Sequence, residues 1–595
     1  MKIDNINQRL EAKQLEKVQK LAASGDLLSA FFSVREYCNR MPQCNAQLYD
    51  YQIELAEALN NPHITLEVSN AVLEVYSKLP PVPFVRSYPF NCLALLRLRK
   101  TAQIKRFLRT YNLETSFENF RQKDKARFRK KDWEYYRENT PYDKINLSTM
   151  AHWTKLMHEG RAQEVADSDI NIFQKGKYYD DLRFRKAMAM IQVGKCDQAI
   201  EYIKSTADKE YCDKDLLALI QAYIKLGNAN AVQFFIAKAQ RLAKTNKIDF
   251  EYILPYLEMF DINGYWQEMY DFVVGCQTHR PTENALLLYK AISAYNLDKK
   301  QEIPTILEQL AIINPYNCVP ARIFENAMSL GKPMIRASDK LAETIVQEIE
   351  ETYKELLSSC QDKDKMQKFV TNKRKMDNIC SFLAFLGDKM SKEEMCAIYC
   401  SHAKFDQIFR KIIYLDHVSI GRKLNLMYAI ITCSHTRSIY FTNNYFMYTG
   451  PLYDMKELNK YGVHLKSIYA KAIIYLASLP SNIEIFLPLF NFCTELFIKQ
   501  VISKNIDSLE NEEQIATILI NLYIMLTFSD FPRELLISSQ GVSSEDLSSF
   551  NYHARNFGMK IVDGVLYINE QPVDIVELFQ HHQIAKDARL TKKDK

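Results

Sequence analysis

Apolar residues recur along nearly the whole chain three and four positions apart, the spacing that lines one face of a helix, and strand-like alternation is confined to a short stretch near the C-terminus. The pattern predicts an all-α protein built of helix hairpins. The segment LAASGDLLSAFFSVREYCNRMP, residues 21–42, shows the unit: Gly25 stands between two runs, Ala30 five positions on and Pro42 seventeen positions on. Equivalent turn residues fall at Gly160, Gly194, Gly227, Gly264 and Asp298, with successive intervals of 34, 33, 37 and 34. Proline recurs seventeen positions after the turn at Pro281 and Pro315, and alanine five positions after it at Ala199. Glycine suits the left-handed turn that ends a first helix, and alanine lets the second helix approach its partner closely. Proline stops the second helix because it cannot continue the hydrogen-bond ladder.

A hairpin that is apolar on one face cannot bury that face alone, so successive hairpins are expected to stack into a curved solenoid with a long inner surface. The period near 34, carried by YIKLGNANAV, MIQVGKCDQAIEYI and LEQLAIINP, resembles that of tetratricopeptide repeats. The resemblance covers residues 145–330 and extends to 15–110. It departs from the motif at Tyr211, where the terminal proline would stand, and at Met269, where the alanine would stand. It implies a superhelix whose concave groove binds a peptide or helix of another protein without catalysis. In that frame the inner surface comprises the residues six, three and two before each turn. The candidate partner-binding residues among them are Met188, Gln192, Gln221, Ile224, Lys225, Glu258, Asp261, Tyr295 and Asn296, together with the flanking Ile191, Ile262 and Ile292. The plainer alternative for each is packing against a neighbouring helix.

Charge changes the picture at one place. Residues 97–137 hold 14 Lys or Arg against five acids, a local net of +9 in a chain whose total is +5. Within it, RQKDKARFRKKDWEYYREN interleaves Phe128, Trp133, Tyr135 and Tyr136 with Arg121, Lys123, Lys125, Arg127, Arg129, Lys130 and Lys131. Cations beside rings suit phosphates and unpaired bases, which makes this stretch a candidate nucleic-acid surface. It also suits a helix that tucks its rings inward while its Lys and Arg stems lie along apolar surface.

The expected organisation is therefore N-terminal repeats over 1–110, a basic connector over 111–144, the main array over 145–330, a second helical domain over 331–550, and a C-terminal segment over 551–595. The second domain is read from the amphipathic run ASDKLAETIVQEIEETYKELLSSC and the apolar run IEIFLPLFNFCTELFI. In the last segment, GMKIVDGVLYINEQPVDIVELF places Asp563 and Gly564 between two β-branched runs, the signature of a small β-hairpin, followed by a turn at 569–572 and a helix.

Composition and motifs then limit the function. A hydrophobic share of 47% with 25% charged residues fits a folded soluble chain. The N-terminal sequence has no secretion signal, and the most apolar window, IATILINLYIMLTF at 515–528, is too short to span a bilayer, so no membrane role is expected. Thirteen scattered cysteines point to reduced thiols in the cytoplasm. No phosphate loop, dinucleotide fingerprint, zinc-protease motif or nucleophile elbow is present. Cys396, Cys400 and His402, with Cys433 and His435, form the nearest candidate metal set, but cysteines four apart on a helix commonly act as small buried hydrophobes, and no metal site is expected. His581 and His582 are adjacent in an expected terminal helix with no evident catalytic partner and read as surface residues. The expectation is a non-enzymatic cytoplasmic scaffold that needs no cofactor, with a second partner or a homo-oligomer contact on the C-terminal domain. The alternatives are a nucleic-acid-associated regulator using the basic stretch and an enzyme with an unrecognised C-terminal site.

Overall fold

The structure is a computed structural model. It describes residues 2–41, 46–76, 88–101, 114–128, 130–137, 140–168, 176–207, 210–337, 341–386, 390–415 and 418–433. Beyond these it describes 448–449, 467–473, 485–503, 559–562 and 565–573, with isolated positions over 104–108 and 512–522. Pro42, Arg129, His435, Asp563, Gly564, His581, His582 and the helix expected after 573 lie outside them.

The fold is all-α with short strands in its C-terminal part. Two compact units interleave along the chain. One comprises residues 1–65, 89–101 and 119–348, the other 66–88, 102–118 and 349–595. Neither unit follows the borders drawn from composition at 110, 144 and 330.

The helices of the first unit, with those that straddle its borders, are α1 (Lys2–Ala23), α2 (Leu27–Arg40), α3 (Ala46–Ala58), α4 (Pro62–Tyr76), α5 (Tyr88–Arg97), α6 (Glu114–Lys123) and α7 (Lys130–Tyr136). They continue with α8 (Pro141–His158), α9 (Ala162–Asp167), α10 (Tyr179–Gln192), α11 (Cys196–Thr206), α12 (Asp213–Lys225), α13 (Ala229–Lys244) and α14 (Phe250–Asn263). The last are α15 (Trp266–Gln277), α16 (Asn284–Asn296), α17 (Ile303–Ile313), α18 (Val319–Ser329) and α19 (Leu341–Ser359). From α8 onward they form hairpins in which each first helix packs on the next first helix: α8 on α10, α10 on α12, α12 on α14, and α14 on α16.

The turns are those the sequence marks. Gly25, Gly160, Gly194, Gly227 and Gly264 have φ of 85, 76, 84, 69 and 73°, and Asp298 has 59°. Asn60, Arg99 and Gly331 make the same left-handed turn, with φ of 54, 57 and 59°. Ala30 and Ala199 are fully buried at the close approach of their helices. Helices α15 and α17 end before Pro281 and Pro315.

Polar contacts fasten the N-terminal hairpins to the array. Arg35 Nη2 donates to Ile313 O at 3.0 Å and Asn39 Nδ2 to Ile312 O at 2.9 Å, which ties α2 to the end of α17. Asn61 Nδ2 donates to Thr282 O at 2.9 Å ahead of α16.

Where successive first helices begin, a buried ionic layer joins α10, α12 and α14. Arg183 grips Asp215 with two bonds of 2.8 and 2.9 Å, and Lys214 pairs with Asp181. Arg99 reaches Asp249, and the Asp249 N–H donates to Asp213 at 2.8 Å.

At the start of α8, Thr140 and Asp143 form a capping box, and the Lys177 N–H donates to Asp143 Oδ1 at 3.1 Å. A Cβ on Gly176 would stand 2.5 Å from that oxygen, so only glycine allows this approach. Burial opposes ionisation of Asp143, but the bonds from Thr140 and Lys177 outweigh it and hold the carboxyl below the usual aspartate range. A depressed folded pKa gives stability that is present above the ordinary aspartate pKa and lost as pH falls through the folded value. Asp143→Asn is therefore expected to destabilise at pH 7, by about 1 kcal/mol as for loss of a helix cap, and by less at an acid pH where the lowered folded pKa is approached. Urea melts at both pH values check this, and an equal difference at both would refute it.

The second unit contains α20 (Lys363–Thr371), α21 (Lys373–Ser381) running into a wide π-type turn at Phe382–Leu386, α22 (Lys392–Ser401), α23 (Lys404–Tyr414), α24 (Ile420–Cys433) and α25 (Leu487–Ser503). Helices α22 and α23 both pack on α24. The described side chains of the apolar window, Ile515, Ala516, Ile518, Leu519, Ile520 and Leu522, are buried.

Near the C-terminus the expected hairpin is part of a three-stranded antiparallel sheet, Met559–Val562, Val565–Ile568 and Gln571–Val573. The turn expected at 569–572 is only two residues long. Asn569 and Glu570, with φ of 50 and 66°, make a tight loop of the I′ kind, and Gln571 begins the third strand. Pro572 is accommodated because that strand is an edge.

Candidate functional site

Frame positions six, three and two before each turn fall on the first helices α10, α12, α14 and α16, but the structure divides the candidates into two groups. Gln192, Lys225 and Glu258 are exposed, and Met188, Gln221 and Ile224 are half-buried. Ile262 is 65% exposed. Ile191 and Ile292, by contrast, belong to the core. Lys225 is exposed along its stem yet committed at its tip, where Nζ donates to Ile191 O at 2.8 Å and joins α12 to α10.

Asp261, Tyr295 and Asn296 are already engaged. After the turn at Gly331, residues 332–337 lack helical structure and lie against α14 and α16. Tyr295 Oη donates to Lys332 O at 2.6 Å. Asn296 closes a two-bond ring on one residue: its Nδ2 donates to Ile335 O at 2.7 Å and its Oδ1 accepts from Ile335 N at 2.8 Å. Asp261 Oδ2 accepts from Ala337 N at 3.0 Å. Ile335 is the segment's anchor at 1% exposure, while Pro333 and Met334 are exposed. The Arg336 guanidinium lies 6.0 Å from the centroid of the Trp266 ring.

Contacts run from α16 back to α14 as the residue number rises from 335 to 337, so the segment travels opposite to the stacking order, toward the exposed candidates. Burial raises the Tyr289 hydroxyl above its ordinary pKa, and the carboxylates of Glu258 and Asp261 raise it further.

Asp261 and Tyr295 are thus 2% and 3% exposed, not open to solvent as the frame alone suggested. Both meet a segment just past the repeats, which no period in the sequence places on the groove, and Tyr295 also packs against Phe324 of α18 at 6.2 Å. The legible signals were the turn residue Gly331, the proline at 333 and the carboxamide and carboxylate at 296 and 261.

Several arginines of the basic stretch are paired with carboxylates of the same chain. Glu57 binds two arginines, Arg97 at 2.6 Å and Arg127 at 2.8 Å. Arg99 pairs with Asp249, and Arg127 also pairs with Asp124 at 2.5 Å. Rings meet one another: Phe120 and Phe128 edge to face, Phe128 and Trp133 edge to face, and Trp133 stacked on Tyr136 at 4.6 Å. Arg121 lies over Trp133 at 4.5 Å. Lys123 and Lys125 are exposed, and Lys130 and Lys131 lie in α7.

The cysteine set comes together only in part. Cys396 on α22 is hydrogen-bonded by Cys433 on α24, which lowers its pKa. Cys400 is exposed rather than buried, and His402 Nδ1 accepts the Lys404 N–H at 3.1 Å. Among the described residues no group of three or more His, Cys, Asp or Glu is placed to hold a metal, and no helix is long and apolar enough to cross a membrane.

Compared with known proteins, the chain matches no family model, no curated protein and no solved structure.

Proposed function

We infer that this is a non-enzymatic, tetratricopeptide-like interaction protein of the cytoplasm, which holds a segment of a protein partner across the first helices of its hairpins. The observation that carries the reading is the chain's own segment 332–337, held on α14 and α16 through its backbone by Asp261, Tyr295 and Asn296. A surface that holds one extended segment by its main chain has the chemistry to hold another. The neighbouring positions continue that surface. Met188 and Ile224 supply apolar contact, Gln192 and Gln221 supply hydrogen bonds, and Glu258 supplies charge. The commitment of Arg97, Arg99 and Arg127 to carboxylates of the same chain favours this reading over a phosphate-binding one.

The test replaces Gln192, Gln221 and Glu258 with Ala together. These side chains lie outside the buried seam, so each change is expected to alter stability by no more than about 0.5 kcal/mol. Partner capture is expected to fall sharply. A nuclease-treated pulldown from the native host, followed by titration with the purified partner it identifies, reads the effect. Undiminished affinity of the triple variant would place the binding surface elsewhere.

A further inference from the structure

We propose that residues 332–337 are an exchangeable resident ligand, and that the cleft of Asp261, Tyr295 and Asn296 takes from a partner protein an extended segment with one aliphatic anchor followed directly by a basic residue. This rests on the groove reading above and deepens it, since that reading does not choose between an extended peptide and a helix.

The choice follows from which atoms are used. The bonds from these three side chains to Lys332 O, Ile335 N, Ile335 O and Ala337 N all go to main-chain groups. In a helix those groups are consumed by the helix's own ladder, so a helical ligand cannot satisfy the Asn296 ring. An extended ligand can, whatever its side chains, and this is the general mode of main-chain recognition.

Side-chain preference enters at two positions only. Ile335 is buried, which sets an aliphatic anchor, and Arg336 follows it toward the Trp266 ring. Asp261 sets a carboxylate against the segment one residue past Arg336, which makes a basic residue there favourable, and the segment itself carries Lys332 and Arg336.

The start of the resident segment is also fixed to its own chain, Lys332 N donating to Ala327 O at 3.0 Å to close the turn after α18. Beyond it the side chains at 333, 334 and 337 are exposed, so a segment supplied by another protein can reproduce the main-chain contacts of residues 335–337. What favours the resident one is its tether, which gives an effective concentration on the order of millimolar.

Along the segment's path beyond Asn296, the frame's positions two before each turn are Ile262, Lys225 and then Gln192. Gln192 stands two residues before Gly194, as Asn296 stands two before Asp298, and its carboxamide is exposed. A longer partner segment is expected to meet it.

The experiment uses the full chain and a fluorescent peptide copying residues 330–339, LGKPMIRASD. The hosts are the parent, Ile335→Ala, Ile335→Asp, and Ile335→Ala combined with Asn296→Ala. The peptide is expected to bind the Ile335→Ala and Ile335→Asp chains at least about tenfold more tightly than the parent, because the tethered competitor is weakened. The added Asn296→Ala change is expected to abolish the gain, and a peptide with Asp in place of the anchor is expected not to bind. If Ile335→Asp melts without cooperativity, the milder Ile335→Ala chain decides the result.

Equal binding by all folded hosts, or binding by none, would overturn the proposal while leaving partner capture at the open positions untouched. Concentration-dependent dimerisation of the parent through exchange of this segment would assign the cleft to a second copy and would also overturn it.

Discussion

Asp215→Ala is expected to lower the unfolding free energy by about 3–5 kcal/mol, the range for removing one partner of a buried ion pair. Arg183 is 3% exposed and Asp215 1%, so neither charge has water to fall back on. Burial by itself would lower the Arg183 pKa, and the two bonds from Asp215 more than offset it, holding the guanidinium above its ordinary value. A raised pKa on a group that already stays charged adds no pH dependence in the working range, so the loss should be the same at pH 6 and pH 8. Asp215 Oδ2 also accepts the Cys212 N–H at 3.1 Å, and the start of α12 loses that bond too.

Urea unfolding followed by far-UV circular dichroism measures the effect. A double change, Arg183→Met with Asp215→Leu, removes both charges and is expected to recover most of the loss. A loss below about 1 kcal/mol for Asp215→Ala would mean that Asp180, at 2.9 Å from Arg183, suffices as its partner. Because α12 carries Gln221, Ile224 and Lys225, the same variant tests whether the ionic layer sets the line of the groove.

Tyr256→Ala is expected to cost about 3–5 kcal/mol, as for other fully buried aromatic side chains cut to Ala. Tyr256 has no exposed surface, its ring meets Phe272 at 5.0 Å and Phe260 at 6.2 Å, and its hydroxyl donates to Asp213 O at 2.6 Å. The residue thus joins the aromatic core of the α14/α15 hairpin to the first turn of α12. Tyr256→Phe separates the two contributions. It keeps the ring and removes the hydrogen bond, and is expected to cost about 0.5–1.5 kcal/mol, since the Asp213 carbonyl keeps its place in the ladder of α12. Equal losses for both changes would mean that the hydroxyl, not the ring, carries the stability.

The repeating turns were legible in the sequence because their requirement is local. A left-handed residue disfavours a Cβ, so glycine marks the site at 25, 160, 194, 227 and 264. Asn60 and Arg99 adopt the same turn without glycine and were missed. At Arg99 the strain is supported from far along the chain, by Asp249 and by Glu251 at 3.5 Å.

The groove was legible only as a set of positions. Frame spacing picked out Asp261, Tyr295 and Asn296 but could not say that Lys332–Ala337 lies on them, since that contact repeats with no period. The third strand at Gln571–Val573 was missed for a related reason: Asn569 and Glu570 lack the glycine that usually signals so tight a turn.

By itself, then, the sequence determined the helical class, the hairpin unit and its turns, because helix periodicity and turn chemistry are written within a few residues of one another. Only the tertiary structure decided which charges are spent inside the fold, where α2 docks on α17, and which half of the groove is already occupied. Those outcomes depend on pairs such as Arg35 with Ile313, 278 positions apart, and on desolvation, which no local pattern records.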